Sequence, residues 1–296
     1  MFYGLKKRIK VVIKERKRQE FQAQRVYEEY QRFKIKILSH LNKNDIREPI
    51  ILEIGCGMRL PFAIQFINDG FKYYGSEIVA TGKRFSIKKY FRAIFVNEDI
   101  LNLIENLAWD FLLCGRFHKE LSKIYGKKMG NKQIKKANFF FHNIENLDIP
   151  ENFADVIITN SVFEHVDDLN RLLLKMKQIL KLNGITYNQI HLYPSLSGGH
   201  DEWSFPELEE PRDIPPWSHI RTDCDYKTPV NIFLNKYKQS VYEREFEKKF
   251  GSIEIENIHV EGEKLLNEDI LKSIPDEFTR DDLLNRNVAI LAKNTN

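Results

Sequence analysis

The sequence predicts an α/β protein in which short apolar strands alternate with helical runs around a mostly parallel sheet. Three observations predict it. Residues 51–57 read Ile-Leu-Glu-Ile-Gly-Cys-Gly, a buried strand running into a tight glycine turn, and a helical run opens at Pro61. Further strands are expected over residues 71–77, 139–141 and 153–159. An apolar helical face at Leu169, Leu172, Leu173, Met176, Ile179 and Leu180 then leads through Asn183 and Gly184 to a fifth strand beginning at Ile185. Residues 253–260 and 288–292 supply the two last strands.

The glycine turn carries the first chemical information. A dinucleotide site would show Gly-x-Gly-x-x-Gly, with a helix N-terminus free to hold pyrophosphate. Here Arg59 and Leu60 stand where the third glycine is expected, and Glu53 would set a negative charge toward a diphosphate. An acid suits a cationic ligand. The segment from Leu52 through Glu53, Ile54, Gly55 and Cys56 to Gly57 resembles the first motif of class I S-adenosylmethionine-dependent methyltransferases. Their cofactor carries a sulfonium and an ammonium and no phosphate.

The resemblance continues in order along the chain. Glu77 ends the second strand, where this family uses a carboxylate to accept both ribose hydroxyl hydrogens, and Ile78 follows it. The third strand runs into His142, Asn143 and Ile144, similar to the adenine-binding turn, with Asn143 where the family often has Asp. Asn160 and Ser161 open a segment resembling the floor under the methionine end of the cofactor. The resemblance implies a Rossmann-like class I methyltransferase fold with a seven-stranded, mostly parallel sheet. It also implies S-adenosyl-L-methionine as cofactor, held by Glu53, Gly55, Cys56, Gly57, Glu77, Ile78, Asn143, Ile144, Asn160 and Ser161. Cys56 also reads as a small packing residue.

Composition and charge bound the rest. A length of 296 residues with 42% hydrophobic content allows one enlarged domain or two small ones. No apolar stretch is long enough to span a membrane, and no secretory signal opens the chain. Cys56, Cys114 and Cys224 are scattered without metal spacing, which fits a reducing cytoplasm. Residues 1–36 hold twelve Lys or Arg against four Glu, a net of +8. The remainder of the chain therefore carries 4 − 8 = −4. Residues 1–45 are expected to form a basic helical extension before a methyltransferase domain at 46–296. Two readings of that extension stand open. Phe21, Val26, Tyr30 and Phe33 could pack it on the core, or its charge could engage an anionic membrane surface or a protein partner. The acidic body argues against nucleic acid.

Two segments exceed the bare fold. Residues 79–138 hold Leu107, Trp109, Phe111, Leu112 and Phe117 and are expected to add helices, either as a lid or as a stabilising excursion. Residues 194–230 leave the end of the fifth strand, where open α/β sheets place ligands, and form the expected substrate loop. Four of the eight histidines, His165, His191, His200 and His219, fall between positions 160 and 220. His200 is the first candidate general base, because Gly198 and Gly199 let the backbone bend and Asp201 could raise imidazole basicity; His191 is the second. Tyr193, Trp203 and Trp217 offer flat faces to a sugar or another ring, although aromatic residues beside prolines also commonly just pack a loop. The loop, with the run from Phe278 to Arg286, is similar to methyltransferases of bacterial surface-polysaccharide pathways. That implies a sugar hydroxyl or another small-molecule or glycan acceptor. A nitrogen acceptor and a noncatalytic scaffold are the competing readings. No metal ligands are assigned from sequence.

Overall fold

The computed structural model describes residues 16, 18–57, 60–77, 107, 109–140, 148–204, 212–225 and 233–295. Seven strands form one sheet, β1 (Ile50–Ile54), β2 (Lys72–Ser76), β3 (Asn138–Phe140), β4 (Ala154–Asn160), β5 (Leu180–His191), β6 (Ile253–Val260) and β7 (Asn285–Lys293). Their spatial order is β3-β2-β1-β4-β5-β7-β6. β1 pairs with β2, and β2 with β3, in parallel. β7 runs antiparallel to both β5 and β6. The chain divides into two compact units, residues 1–149 with 154–156, and residues 150–153 with 157–296.

In the first unit, β1 is buried from Ile51 through Ile54, as a strand covered on both faces must be. Helix α1 (Gln19–Lys43) belongs to this unit and packs through Ala23, Val26, Tyr30, Phe33, Ile37 and Leu41, spaced by three or four residues so that they share one face. Phe33 meets Phe62 edge-on at 5.2 Å, and Tyr30 meets Phe66 at 4.9 Å. Polar pins reinforce the apolar seam. Tyr30 donates its hydroxyl to Asp69 Oδ2 at 2.7 Å, and Lys34 Nζ donates to the same oxygen at 2.6 Å. The structure therefore favours the packed reading of residues 19–43. Phe21, expected on that face, is instead exposed, because it falls outside the spacing of the buried stripe. Residues 1–15 lie outside the described residues.

Helix α2 (Pro61–Asn68) follows the glycine turn. Later in the unit a π-helical turn (Trp109–Leu113) leads into α3 (Cys114–Tyr125), and α4 (Asn131–Ile134) precedes β3. Extra helices are thus present over the described part of the 79–138 segment, with Phe117 buried while Phe111 and Leu112 are exposed.

The second unit contains α5 (Leu169–Ile179), α6 (Gln239–Phe250), α7 (Glu268–Ser273) and α8 (Arg280–Leu284). Asp168 caps α5 by accepting from the Arg171 N–H. A helical stop at Asn183 and Gly184 is not what the structure shows. The chain turns from helix to strand at Leu180, and Asn183 and Gly184 lie within β5, where Asn183 N–H donates to the Asn294 carbonyl and Asn294 N–H to the Gly184 carbonyl. The ladder with β7 nevertheless begins at Ile185, as expected. Trp217, Tyr193, Leu196, Ile220, Leu266, Ile270, Ile274 and Leu283 form a satellite core beneath the loop that leaves β5.

Candidate functional site

Two groups of functional side chains emerge, one in each unit. In the first, Gly55 and Gly57 both have positive φ, at 70° and 61°, so the chain reverses at the end of β1 through conformations that cost a side-chain-bearing residue. Gly55 and Cys56 donate their N–H groups to the Ser76 carbonyl at 2.9 and 3.2 Å, which ties the turn to the end of β2. Gly57 N–H donates to Glu77 Oε2 at 2.9 Å. The carboxylate expected at the tip of β2 thus sits against the glycine turn. Cys56 is buried, and a Cβ on Gly75 would come within 2.7 Å of its sulfur, so Cys56 fills the notch that Gly75 leaves.

Glu53 is 2% exposed, and Tyr73 donates its hydroxyl to Glu53 Oε2 at 2.5 Å. Burial pushes this carboxyl up to about 8; the Tyr73 hydrogen bond opposes that and the nearby Glu77 charge adds to it. An acid held this way keeps its proton near neutral pH, and a neighbouring positive charge would favour its ionised form. Ile78, Asn143 and Ile144 lie outside the described residues.

These residues fit a sulfonium nucleoside better than a dinucleotide. A Cβ on Gly57 would meet nothing within 4 Å, so the space beside the turn is open to a ligand. Helix α2 opens with Pro61, which has no N–H, after Leu60 in a left-handed conformation with no side-chain cap. That helix entrance lacks a donor which a pyrophosphate would use.

The second group is assembled from four stretches of chain. Asn160 ends β4, and Ser161 follows it with φ of 53°, a left-handed turn held by its N–H donating to the Gln189 carbonyl at 2.9 Å. The short 3-10 turn Phe163–His165 presents Glu164. Asn235 fastens that turn by donating Nδ2 to the carbonyls of Phe163 at 2.7 Å and Val166 at 3.1 Å, and its own N–H to that of Glu164. Glu164 is buried, and neither of its oxygens makes a hydrogen bond of good geometry. Burial lifts its carboxyl to about 8, partly offset by the backbone N–H groups of Glu164 and His191.

His191 ends β5, and its ring stacks on that of His200 at 5.0 Å between centroids, with 23° between planes. His165 meets His200 edge-on at 5.1 Å. One ring nitrogen from each of His191 and His200 and one carboxylate oxygen of Glu164 all lie within 4.8 Å of one another. Serine and glutamate fix the state of His191. Ser197 donates its hydroxyl to Glu261 Oε1 at 2.6 Å, so its oxygen is left to accept from His191 Nε2, 2.9 Å away. His191 Nδ1 then carries a lone pair. Burial depresses this imidazole well below its ordinary value, with His200 and Arg286 acting in the same direction.

The loop brings His200 to this place through glycine. A Cβ on Gly198 would stand 2.0 Å from the Tyr193 carbonyl oxygen, and one on Gly199 would stand 2.7 Å from the His219 ring. His200 itself has φ of 55°. Its basicity is not raised as the adjacent Asp201 suggested. Burial drives it down to about 4, aided by His165, His219 and Arg286, while Asp201 accepts from the Trp203 N–H. Of the two readings of the aromatic residues, faces for a sugar or ordinary loop packing, the contacts match the second. Trp217 is wholly buried and donates Nε1 to the Leu283 carbonyl, Tyr193 donates its hydroxyl to the His219 carbonyl, and Arg212 lies 4.3 Å over the Trp203 ring. Their first task is loop packing. Sequence reasoning passed over Glu164, Ser197 and Glu261. Glu164 lies in the segment that Asn160 and Ser161 open, whereas Glu261 lies 64 residues from Ser197 and leaves no local signal.

A family described as a methyltransferase domain matches residues 23–232. The chain belongs to that family of methyltransferases, and S-adenosylmethionine is the expected cofactor. Among solved structures, an S-adenosylmethionine-dependent methyltransferase from Listeria monocytogenes is 12% identical, with a TM-score of 0.44 over 83% of this chain and 91% of its own. One from Mesorhizobium loti is 13% identical, with a TM-score of 0.44 over 84% of this chain and 92% of its own. One from Archaeoglobus fulgidus is 16% identical, with a TM-score of 0.42 over 87% and 92%. No curated protein matches the chain.

Proposed function

We propose that this methyltransferase transfers the methyl group to a hydroxyl of a small acceptor, a sugar being the first class to examine. The observation that carries the reading is the stacked pair His191 and His200, both held neutral beside the buried Glu164. An alcohol is a poor nucleophile until its proton leaves, so a hydroxyl acceptor needs a neighbouring group with a lone pair to take that proton. His200 is the residue proposed to take the acceptor hydrogen, with His191 second. The depressed basicity keeps an imidazole lone pair available at neutral pH.

S-adenosylmethionine, when bound, supplies an electrophilic methyl carbon on a positively charged sulfur. The residues proposed to hold it are Glu53, Gly55, Cys56, Gly57 and Glu77, with Asn160 and Ser161 assigned by the motif that they open. Glu77 would accept from the ribose diol, and the open side of Gly57 would admit the ligand against the backbone. Cys56 would contribute by shaping the turn. The three cysteines and the absence among the described residues of any helix fit to cross a membrane suit the proposed cytoplasmic setting. A surface-glycan pathway remains the favoured biological context, on the resemblance of the loop after β5. The basic residues before α1 are the proposed contact with an anionic surface or protein.

Calorimetric titration with S-adenosylmethionine, S-adenosylhomocysteine and NAD tests the first half. Tight binding of the two sulfur compounds and none of NAD is expected; the reverse pattern would overturn the cofactor assignment. Transfer of labelled methyl to a panel of sugars, nucleotide sugars and matched amines tests the second. Label appearing on amines alone would remove the hydroxyl reading.

A further inference from the structure

We infer that Glu164, His191 and His200 form a binding site for one divalent first-row transition-metal ion. The inference goes beyond the hydroxyl-acceptor reading and stands without it. One ligand atom from each residue lies within 4.8 Å of the other two. Two donors at roughly 2.1 Å from a common ion stand about 3 to 4 Å apart, so the trio closes on an ion by side-chain movements of about 1 to 2 Å at most. Metal-ligand chemistry agrees with the composition. Two imidazoles and a carboxylate suit zinc, manganese, iron or cobalt, whereas magnesium and calcium prefer oxygen throughout.

The state of each group argues further. Both Glu164 oxygens are sealed from solvent and lack a well-formed hydrogen bond, a costly arrangement that a cation would relieve. His191 is held as metal-bound imidazoles usually are, with one nitrogen donating to an outer group. Its Nε2 donates to Ser197, which donates in turn to Glu261, and Arg286 lies 3.4 Å from the far Glu261 oxygen. With Nε2 so engaged, Nδ1 is the nitrogen left to offer the ion. Asn235 holds the Glu164 turn from behind, and Gly198 and Gly199 let His200 close on the other two. Three protein ligands leave positions open, so an acceptor hydroxyl could bind beside them. A bound ion would lower the pKa of an acceptor hydroxyl beside it, whose proton would then leave to water rather than to His191 or His200.

The test uses the full chain without cofactor or acceptor. After treatment with chelator, the protein is titrated with Co²⁺ and followed by visible absorption, with Mg²⁺ as control. A single saturable set of d–d bands, displaced by Zn²⁺ and absent with Mg²⁺, is expected. Glu164→Gln and His200→Ala should each abolish the saturable bands. Because these changes sit in a buried cluster, circular dichroism must show native folds, and Ser197→Ala provides a milder variant. It keeps all three ligands and should weaken Co²⁺ binding by about 10-fold through the loss of His191 support. Absence of saturable bands in the parent, or equal affinity in parent and Ser197→Ala together with bands retained in either ligand variant, overturns the site. Methyl transfer to a hydroxyl by a protein that takes no Co²⁺ would spare the acceptor reading and remove only the metal. Co²⁺ binding without such transfer would do the opposite.

Discussion

The two units solve different problems with different kinds of contact. The first builds its ligand turn from residues close in sequence: Gly55, Cys56 and Gly57 are fixed by the end of the neighbouring strand at Ser76 and Glu77. The second gathers Glu164, His191, His200 and Glu261 across nearly a hundred residues, through side-chain contacts rather than a strand-to-strand register. A local turn is set by backbone torsions and survives modest change. A gathered cluster depends on every segment arriving together.

The largest way to sharpen this contrast is His200→Ala. It should lower kcat about 100-fold or more while leaving the dissociation constant for S-adenosylmethionine unchanged, since the change falls only on the acceptor side. Equal loss in both measurements would erase the division of labour. Next in size, Glu77→Ala should weaken cofactor binding by about 10- to 100-fold, the worth of hydrogen bonds to a charged group, as read by calorimetry. Cofactor affinity equal to that of the parent would take the ribose role away from Glu77.

Gly198→Ala probes the gathered loop directly. The new methyl would collide with the Tyr193 carbonyl, so the loop must shift, and a loss of about 2 kcal/mol in urea denaturation is expected. Gly57→Ala carries only the torsional penalty of its positive φ, about 1 kcal/mol, because nothing stands in the way of the added carbon. A Gly57 variant less stable than the Gly198 variant would reverse the comparison.

A pH series extends the comparison to one buried acid and one buried base. Glu53 is held at about 8 against an ordinary 4.5, so the fold keeps a proton that the unfolded chain releases over that range. Stability from this group is therefore full below 4.5 and is lost as pH rises to about 8. Glu53→Gln should gain on the parent by about 1 kcal/mol per pH unit across that window. His200 works in the other direction. Its fold value of about 4 against 6.5 favours the neutral ring, so its contribution is lost as pH falls between those values, and His200→Gln should blunt that acid-side loss. Urea denaturation across the acid and neutral range measures both slopes, and slopes of the same sign would contradict the burial argument.

How far the sequence reached follows the same division. The strand before Gly55, the carboxylate at Glu77 and the β4 segment ending at Asn160 were legible because each is a short pattern of apolar run, glycine and acid. The C-terminal strands were legible by position, although β7 extends to Asn285 at one end and Lys293 at the other, past the apolar residues that announced it. His191 and His200 stood out as residue types, yet their pairing with Glu164 did not, because no periodicity records a contact made by a 3-10 turn, a strand end and a glycine loop. Trp217 stood open between a sugar face and loop packing for a related reason. An indole beside prolines looks exposed in sequence, and only the folded loop shows that Leu196, Ile220 and Leu283 surround it.

The double glycine of the loop also bears on how this enzyme could be re-engineered. Both positions are occupied, in effect, by their neighbours: the Tyr193 carbonyl fills one and the His219 ring the other. A library that randomised the whole loop in search of new acceptors would discard most of its members at those two sites before chemistry was ever sampled. Diversity is better spent on Arg212, whose partly exposed side chain lies over the Trp203 ring.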